Sequence, residues 1–203
     1  PEIEGLPLSF SKAGYTTLGV GKLYHHMPGS IDVRGWDDFH LRKPSQRKEG
    51  WALDNWTGET PFPEPFPASV FNKGKEVKGG LFLEWAGLPN EKEEEMADTI
   101  RVNWAVEQLK KKHDKPFFLA CGIYAPHFPN YCPQKYFDLY PNPESLTLMP
   151  YKKDDFDDIP KRAREICFNP EMPRTDWLIE TGEWSRMMQA YLASTSFADY
   201  YIG

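Results

Sequence analysis

Two apolar runs interrupt the mostly polar pattern of this chain, and each has the length of a β-strand. Residues 16–21 are mostly β-branched or small, and the run FFLACGIY directly follows Pro116. β-Branched residues favour strands, and an unbroken apolar run of this length is typical of a parallel strand buried on both faces. Gly19 and Gly21 would let the first backbone pass close to another group. We therefore predict two buried strands.

Apolar residues recur at helical spacing in other parts of the chain. Residues 1–13 have this pattern and resemble the end of a helix. Residues 90–112 begin with acids and end with lysines, which suits the helix dipole, and Asn90 is the expected N-cap. A short helix is expected after Pro133, and a final helix from about Glu183 to the end of the chain.

The same spacing predicts which residues of the two long helices face the core. Residues three or four apart lie on one side of a helix, so an apolar set at that spacing marks the buried side. The expected inward residues are Met96, Ile100, Trp104 and Leu109 in the first helix, and Met187, Tyr191 and Ala198 in the second.

The order of these elements predicts an α/β fold with a mainly parallel sheet. A helix followed by a strand is half of a βαβ unit, and the 203 residues have the length of one domain. Residues 28–91 break this order, because they are dense in Pro, Gly and Trp. Their apolar residues follow neither the helical nor the strand spacing for long. We predict a long irregular excursion there, with short strands near 70–71 and 81–85.

Composition narrows the class of protein. The net charge of −6 comes from acids spread along the chain, and without a basic stripe a nucleic-acid partner is disfavoured. No apolar run approaches the roughly 20 residues that cross a membrane. The N-terminus has neither a signal-peptide pattern nor a methionine, which suggests a piece of a longer or processed protein. The three cysteines lack paired zinc-ligand spacing, and one disulfide is left open.

Candidate chemistry lies where the two predicted strands end. Lys22 and His25 follow the first strand, with His26 as the register alternative, and His127 stands between prolines after the second. Alone, each residue would more often be a solvated charge or a turn residue. Together at strand ends, an ammonium and imidazoles suit recognition of a tetrahedral oxyanion and proton transfer to a leaving oxygen. We expect the tips of Lys22, His25 and His127 within about 10 Å of a common point.

Three sequence motifs resemble the sulfatase family. GYTTLGVGKLYH is similar to the second signature of that family, Gly-Tyr-x-Thr-x-x-x-Gly-Lys followed by His. KPFFLACGIYAPHFPNYCPQKYFDLYP and YLASTSFADYYIG resemble stretches of its iduronate-2-sulfatase branch. The motifs occur in the family's order along most of the chain, so the chain is identified as a central part of a sulfatase domain.

This resemblance implies a fold, an activity and roles for the candidate residues. It implies an alkaline-phosphatase-like fold and hydrolysis of sulfate esters, expected to be sulfated carbohydrates, by an enzyme exported to the periplasm, the extracellular space or the lysosome. It also implies a calcium ion and a formylglycine nucleophile. By matching positions, Lys22 would contact the sulfate oxygens, His25 would handle the hydrate or sulfate, and His127 would protonate or stabilise the leaving oxygen.

The chain departs from the family pattern in several places. None of Cys121, Cys132 and Cys167 lies in the Cys/Ser-x-Pro/Ala-x-Arg nucleophile motif, and the family's calcium-binding aspartates have no counterpart. Ala125 stands where the branch commonly has a basic residue, which puts a substrate-carboxylate contact from there in doubt. The acidic pairs of the chain are interpreted as solvated loop residues and not as a metal site: Asp37 and Asp38, Asp154 and Asp155, Asp157 and Asp158.

We therefore expect the nucleophile and the metal ligands to lie outside residues 1–203. The isolated chain is expected to be inactive and either prone to aggregate or obligately associated, with its missing segments or with itself. Two alternatives stay open: a non-catalytic remnant that binds sulfated carbohydrate, and a phosphoesterase-type relative on the same fold.

Overall fold

The computed structural model describes residues 3–24, 32–40, 85–167 and 174–203. The chain divides into two compact units, one of residues 1–61 and 92–124 and the other of residues 62–91 and 125–203. The strand predicted near 70–71 lies outside the described residues, as does most of the one predicted at 81–85. Within the described ranges, no helix combines the length and the apolar character needed to cross a membrane.

The described residues form five β-strands and six α-helices. The strands are β1 (Thr16–Gly21), β2 (Asp38–Phe39), β3 (Trp85–Leu88), β4 (Phe117–Gly122) and β5 (Asn130–Pro133). The α-helices are α1 (Leu6–Lys12), α2 (Ala97–Lys110), α3 (Gln134–Phe137), α4 (Lys161–Cys167), α5 (Thr175–Glu180) and α6 (Glu183–Ile202). Each of the strand pairings among them is parallel, which confirms the predicted α/β class.

The first unit contains a sheet in which β1 lies between β2 and β4. The pairing of β1 with β4 runs from Thr16 opposite Phe117 to Gly21 opposite Gly122. Both predicted strands are thus confirmed. The expectation that β4 is buried on both faces is wrong, because its side chains are only partly buried and Cys121 is exposed. In the described sheet β4 is an edge strand, so water still reaches it.

The two faces of β1 pack against different groups. Leu18 and Val20 form a buried cluster with Trp104 and Ala105 of α2. On the opposite face, a Cβ atom at Gly19 would lie 2.8 Å from the Phe39 ring, closer than any side chain allows. The alternation of a strand therefore separates the face of Leu18 and Val20 from that of Gly19, where the missing side chain makes room for the aromatic rings. The predicted close approach at this glycine is confirmed.

Helix α2 begins later than the charge pattern predicts. Residues Asn90–Glu95 form a 3-10 turn, and Met96 is extended at φ −65° and ψ 136°, so the α-helix starts only at Ala97. The Asn90 side chain does not cap this helix; its oxygen accepts a hydrogen bond from the Lys135 backbone nitrogen at 2.9 Å. The N-cap prediction is therefore wrong, since this asparagine serves another backbone donor.

The buried side of α2 also differs from the predicted apolar stripe. Met96 and Trp104 are buried as expected, but Leu109 is 60% exposed. In place of a continuous apolar face, the helix buries polar residues beside Trp104 and Ala105. These buried polar residues are Asp98, Thr99, Arg101 and Gln108. Simple periodicity failed here because hydrogen-bonded polar side chains, such as those of Asp98 and Arg101, can replace apolar ones in a protein interior.

The second unit pairs β3 with β5 and packs α6 against them. The register runs from Trp85 opposite Asn130 to Leu88 opposite Pro133. The final helix is confirmed at Glu183–Ile202, and Ala198 is buried as predicted, whereas Tyr191 is 44% exposed. The inward position expected for Tyr191 is wrong because the buried side of α6 follows small residues and one aromatic ring. The buried residues of α6 are Glu183 at its start and then Ala190, Ala193, Ser194, Phe197 and Ala198.

Gly122, at the carboxyl end of β4, is expected to be unusually sensitive to substitution. A Cβ atom at Gly122 would lie 2.3 Å from the carbonyl carbon of Lys22, so Gly122→Ala must displace the backbone. We expect the free energy of unfolding of the full-length protein to fall by about 2–3 kcal/mol. Urea unfolding measures this, with Gly5→Ala as the matched control because the nearest heavy atom is 3.8 Å away there. Equal losses in both variants would contradict the close approach.

Candidate functional site

Lys22 is the first residue after β1, and its backbone is fixed by the end of β4. Its amide donates a hydrogen bond to the Gly122 oxygen at 2.8 Å. Gly21 has a positive φ of 78°, and a Cβ atom there would lie 2.0 Å from the same oxygen. Glycine is needed at both places because the two backbones are in contact. The lysine therefore leaves the sheet from a well-defined position.

The Lys22 side chain is a partly buried cation without an acidic partner among the described residues. Its ammonium lies 6.0 Å from the centre of the Tyr124 ring, which is the outer range of a cation–π contact. No carboxylate in the described ranges forms a hydrogen bond or ion pair with it. A positive charge held in this way at a strand end is suited to an anionic ligand.

A buried ion pair in α2 supports both strand ends. Arg101 donates a hydrogen bond to Asp98 at 3.1 Å, and their side chains are only 4% and 7% exposed. Both carboxylate oxygens of Asp98 accept from the Tyr124 backbone nitrogen at 3.0 Å, just after β4. The Arg101 side chain also lies against Gly21, where an added Cβ atom would be 3.1 Å from its Cδ. The pair thus links α2 to the ends of β1 and β4.

The sequence analysis missed this ion pair. In the sequence, this pair is visible as an aspartate and an arginine three residues apart. That spacing usually marks an ion pair on the surface of a helix. Only the tertiary contacts reveal that Asp98 and Arg101 are buried. Burial of two charges costs free energy unless both are hydrogen-bonded. The hydrogen bond from the Tyr124 backbone nitrogen to Asp98 therefore offsets part of that cost.

Cys121, Cys132 and Cys167 are all free, so the disulfide that the sequence left open is not formed. Desolvation raises the pKa of the Cys121 thiol, and the negative charge of Asp98 raises it further. The Cys121 sulfur is therefore a neutral thiol at pH 7, although it lies next to the end of β4.

His127 lies in the loop that precedes β5 and is exposed. The peptide bonds Ala125–Pro126 and Phe128–Pro129 on either side of it are cis. Its Nδ1 atom is 2.5 Å from the carbonyl oxygen of Phe128. A carbonyl oxygen only accepts, so Nδ1 carries the hydrogen and Nε2 is the nitrogen that gains or loses a proton.

The buried side chain of Asn130 holds the same loop. Its Nδ2 atom donates to the Pro126 oxygen at 2.8 Å and, more weakly, to the His127 oxygen at 3.5 Å. Asn130 is only 1% exposed and is the first residue of β5. Sequence reasoning missed both the strand and this contact, because a four-residue strand that begins with Asn and ends with Pro lacks the usual composition.

The other predicted site residues are placed as follows. His25 and His26 lie outside the described residues. Lys22 belongs to the first unit and His127 to the second, so the expected convergence of Lys22, His25 and His127 stays a prediction. Lys22 directly follows β1, as predicted, and His127 comes five residues after the end of β4 at Gly122, in the loop before β5.

The acidic loop residues have the surroundings of ordinary surface groups, with one exception. Asp38 and the cluster Asp154, Asp155, Asp157 and Asp158 are exposed. Asp37 is more than a solvated acid, because its carboxylate accepts from the Thr17 backbone nitrogen at 2.8 Å and so holds β1. Among the described residues, no group of three or more His, Cys, Asp or Glu side chains could hold a metal ion.

The sequence is similar to known proteins along nearly its whole length. Residues 1–203 match the Sulfatase family. The chain is 40% identical to a protein named Sulfatase from Formosa agariphila, over 98% of this chain and 36% of that protein. It is 27% and 26% identical to the iduronate 2-sulfatases of Mus musculus and Homo sapiens, over 98% of this chain and 35% of each. The chain therefore spans about a third of the length of these relatives.

The Asp98–Arg101 pair predicts a large loss of stability when one partner is removed. Asp98→Ala leaves the Arg101 charge buried and the Tyr124 amide without its acceptor, so we expect a loss of about 3–5 kcal/mol in the free energy of unfolding. Denaturant unfolding of the full-length protein gives the value. The matched control is Glu95→Ala, which removes an exposed 2.8 Å ion pair with Lys92 and should cost less than about 1 kcal/mol.

A second variant separates the buried charge from the lost packing. Asp98→Ala combined with Arg101→Met removes both charges, so it should be more stable than Asp98→Ala alone. A double variant that loses the sum of both single effects would show that the two side chains act independently.

Proposed function

Because the chain belongs to the sulfatase family, we propose that the protein hydrolyses sulfate esters and that Lys22, His25 and His127 form part of its active site. The observation that carries the proposal is the partly buried Lys22 ammonium, which lies at a strand end without an acidic partner in the described residues. In parallel α/β folds, ligands bind at the carboxyl ends of strands.

Lys22 binds and orients the sulfate group. An ammonium is a compact point charge with three donors, so it can contact two sulfate oxygens without a fixed planar geometry. During hydrolysis negative charge grows on the oxygens around sulfur and on the leaving oxygen. A cation whose backbone is held by Gly122 needs little rearrangement to stabilise that charge.

His127 donates the proton that the leaving oxygen requires. Its Nδ1 hydrogen is directed to the Phe128 carbonyl oxygen, so Nε2 carries the proton that moves. As the S–O bond breaks, the Nε2 proton passes to the oxygen of the departing alcohol and the imidazole becomes neutral. Such general acid catalysis typically contributes about 10²–10⁴-fold to a rate.

His25, or His26 in the alternative register, would assist at the sulfate group. The family also implies a calcium ion and a formylglycine nucleophile. In the described residues there is no set of carboxylates that could hold a metal, and no cysteine lies in a nucleophile motif. The described residues therefore do not fit these groups, and the roles of Lys22 and His127 are derived without them.

The substrate we propose is a sulfated carbohydrate, processed by an exported enzyme. The relatives named Sulfatase and iduronate 2-sulfatase support a sulfate ester over a phosphate ester. A lysine alone would accept either tetrahedral oxyanion, so the reaction has to be measured with both. A binding protein without turnover is the third possibility that the measurement separates.

Replacement of Lys22 tests the sulfate-binding role. In the full-length protein we expect Lys22→Ala to lower kcat/KM for an aryl sulfate by about 10²–10³-fold, because a charge that stabilises the transition state is lost. Lys112→Ala, which removes an exposed lysine of the same unit, is the matched control and should leave kcat/KM unchanged.

Two further assays decide between the alternatives. The matched aryl phosphate should be a poor substrate, and preferential hydrolysis of it would identify a phosphoesterase. Binding of a sulfated oligosaccharide without turnover by the full-length protein would identify a non-catalytic sulfate-binding protein. An unchanged kcat/KM in Lys22→Ala would remove Lys22 from the site.

A further inference from the structure

The loop around His127 is poor in hydrogen-bond donors. Two of the five residues from 125 to 129 are prolines, which have no backbone N–H, yet every residue has a carbonyl oxygen. The loop therefore has more acceptors than it has donors of its own. A loop of this kind needs a donor from a neighbouring side chain if its carbonyls are to stay in fixed positions.

Asn130 supplies that donor. Its amide nitrogen has two hydrogens, and it lies 2.8 Å from the Pro126 oxygen and 3.5 Å from the His127 oxygen. The next carbonyl, that of Phe128, is taken by the His127 ring itself. Three successive carbonyls of the loop are thus engaged by Asn130 and His127. The orientation of the ring is coupled to the same loop backbone that Asn130 holds.

The surroundings of Asn130 show which end of its amide is used. The residue is 1% exposed, and its Oδ1 atom has no hydrogen-bond partner within the described part of the chain. A buried acceptor without a partner lowers stability, so an apolar residue would serve better if packing were the only need. The presence of an amide at this buried position is explained by its donor nitrogen, which is directed at the His127 loop.

We propose that Asn130 is a positioning residue that fixes the orientation and the tautomer of His127. The inference rests on the proposed function, because it assigns to His127 the proton transfer described above. Asn130 holds the Pro126 and His127 carbonyls, and this keeps the Phe128 carbonyl within reach of Nδ1. With Nδ1 occupied, the mobile proton stays on Nε2. Loss of Asn130 lets the ring rotate and share its hydrogen between both nitrogens.

The kinetic test compares two substrates of the full-length protein. An alkyl sulfate has a poor leaving group that needs a proton, whereas 4-nitrophenyl sulfate has a good one that does not. We expect Asn130→Ala to lower kcat for the alkyl sulfate by about 10–10²-fold and to change kcat for the aryl sulfate less than about threefold. Asn142→Ala removes an exposed loop asparagine of the same unit, and both rates should stay at the wild-type level.

A double variant tests whether Asn130 acts through His127. Once His127→Ala has removed the acid, the additional Asn130→Ala substitution should cause no further loss with the alkyl sulfate. A further loss in the double variant, or equal losses of Asn130→Ala with both substrates, would overturn the proposal and indicate a structural role. A selective effect of His127→Ala without one in Asn130→Ala would overturn only the positioning role.

A spectroscopic readout is independent of turnover. The protein stretch has five histidines, so the His127 signals can be assigned by their loss in His127→Ala. Long-range ¹H–¹⁵N spectra should show the Nδ1–H tautomer in the wild type and a mixture of tautomers in Asn130→Ala. If that variant does not fold, Asn130→Ser, which keeps one donor, should show an intermediate mixture. An unchanged single tautomer in the folded Asn130 variants would overturn the positioning role, even if the protein hydrolyses sulfate esters as proposed. A His127→Ala variant with wild-type kcat for the alkyl sulfate would instead overturn the proposed function of His127.

Discussion

The contact between the ends of β1 and β4 is the constraint on which the rest of the first unit depends. Gly21 and Gly122 face each other at the last pair of the register, and neither position has room for a Cβ atom. This contact lets the Lys22 amide reach the Gly122 oxygen, and it brings the chain after β4 close to α2. A sheet that separated by even one methyl group here would lose the backbone bond that fixes Lys22.

Helix α2 places two charged side chains at this strand end because a backbone nitrogen there needs a hydrogen-bond acceptor. The Tyr124 nitrogen follows the end of β4 and so lies outside the regular ladder, and Asp98 supplies its acceptor. A carboxylate at this depth requires a cation, which Arg101 provides from the next turn of the helix. The apolar contacts of Trp104 and Ala105 stabilise the helix, whereas the ion pair determines where the chain leaves the sheet.

The sequence was most informative where one physical effect dominated. The strands β1 and β4 and the helix α6 were predicted because long apolar patterns make a single structure more favourable. The helix start at Ala97 and the exposed Leu109 were not, because tertiary hydrogen bonds of Asn90 and Asp98 outweigh local charge and spacing. Lys22 and His127 could be chosen as site residues from their positions after strands and from the family motifs. The contacts of Asn130 could not be predicted, since its hydrogen bonds to the Pro126 and His127 carbonyls form only in the folded chain.

The two described candidate residues are held by different kinds of interaction, and this has consequences for how each tolerates change. The backbone of Lys22 is positioned by other backbone groups, so its place at the strand end depends mainly on the two glycines. His127 lies in a proline-rich loop, and two carbonyl oxygens of this loop accept hydrogen bonds from the buried Asn130 amide. Backbone contacts persist as long as the sheet does, but a loop held by a side chain can shift when one residue changes. If the proposed roles hold, sulfate binding by Lys22 should tolerate nearby side-chain substitutions, whereas proton donation by His127 should be sensitive to substitutions around its loop.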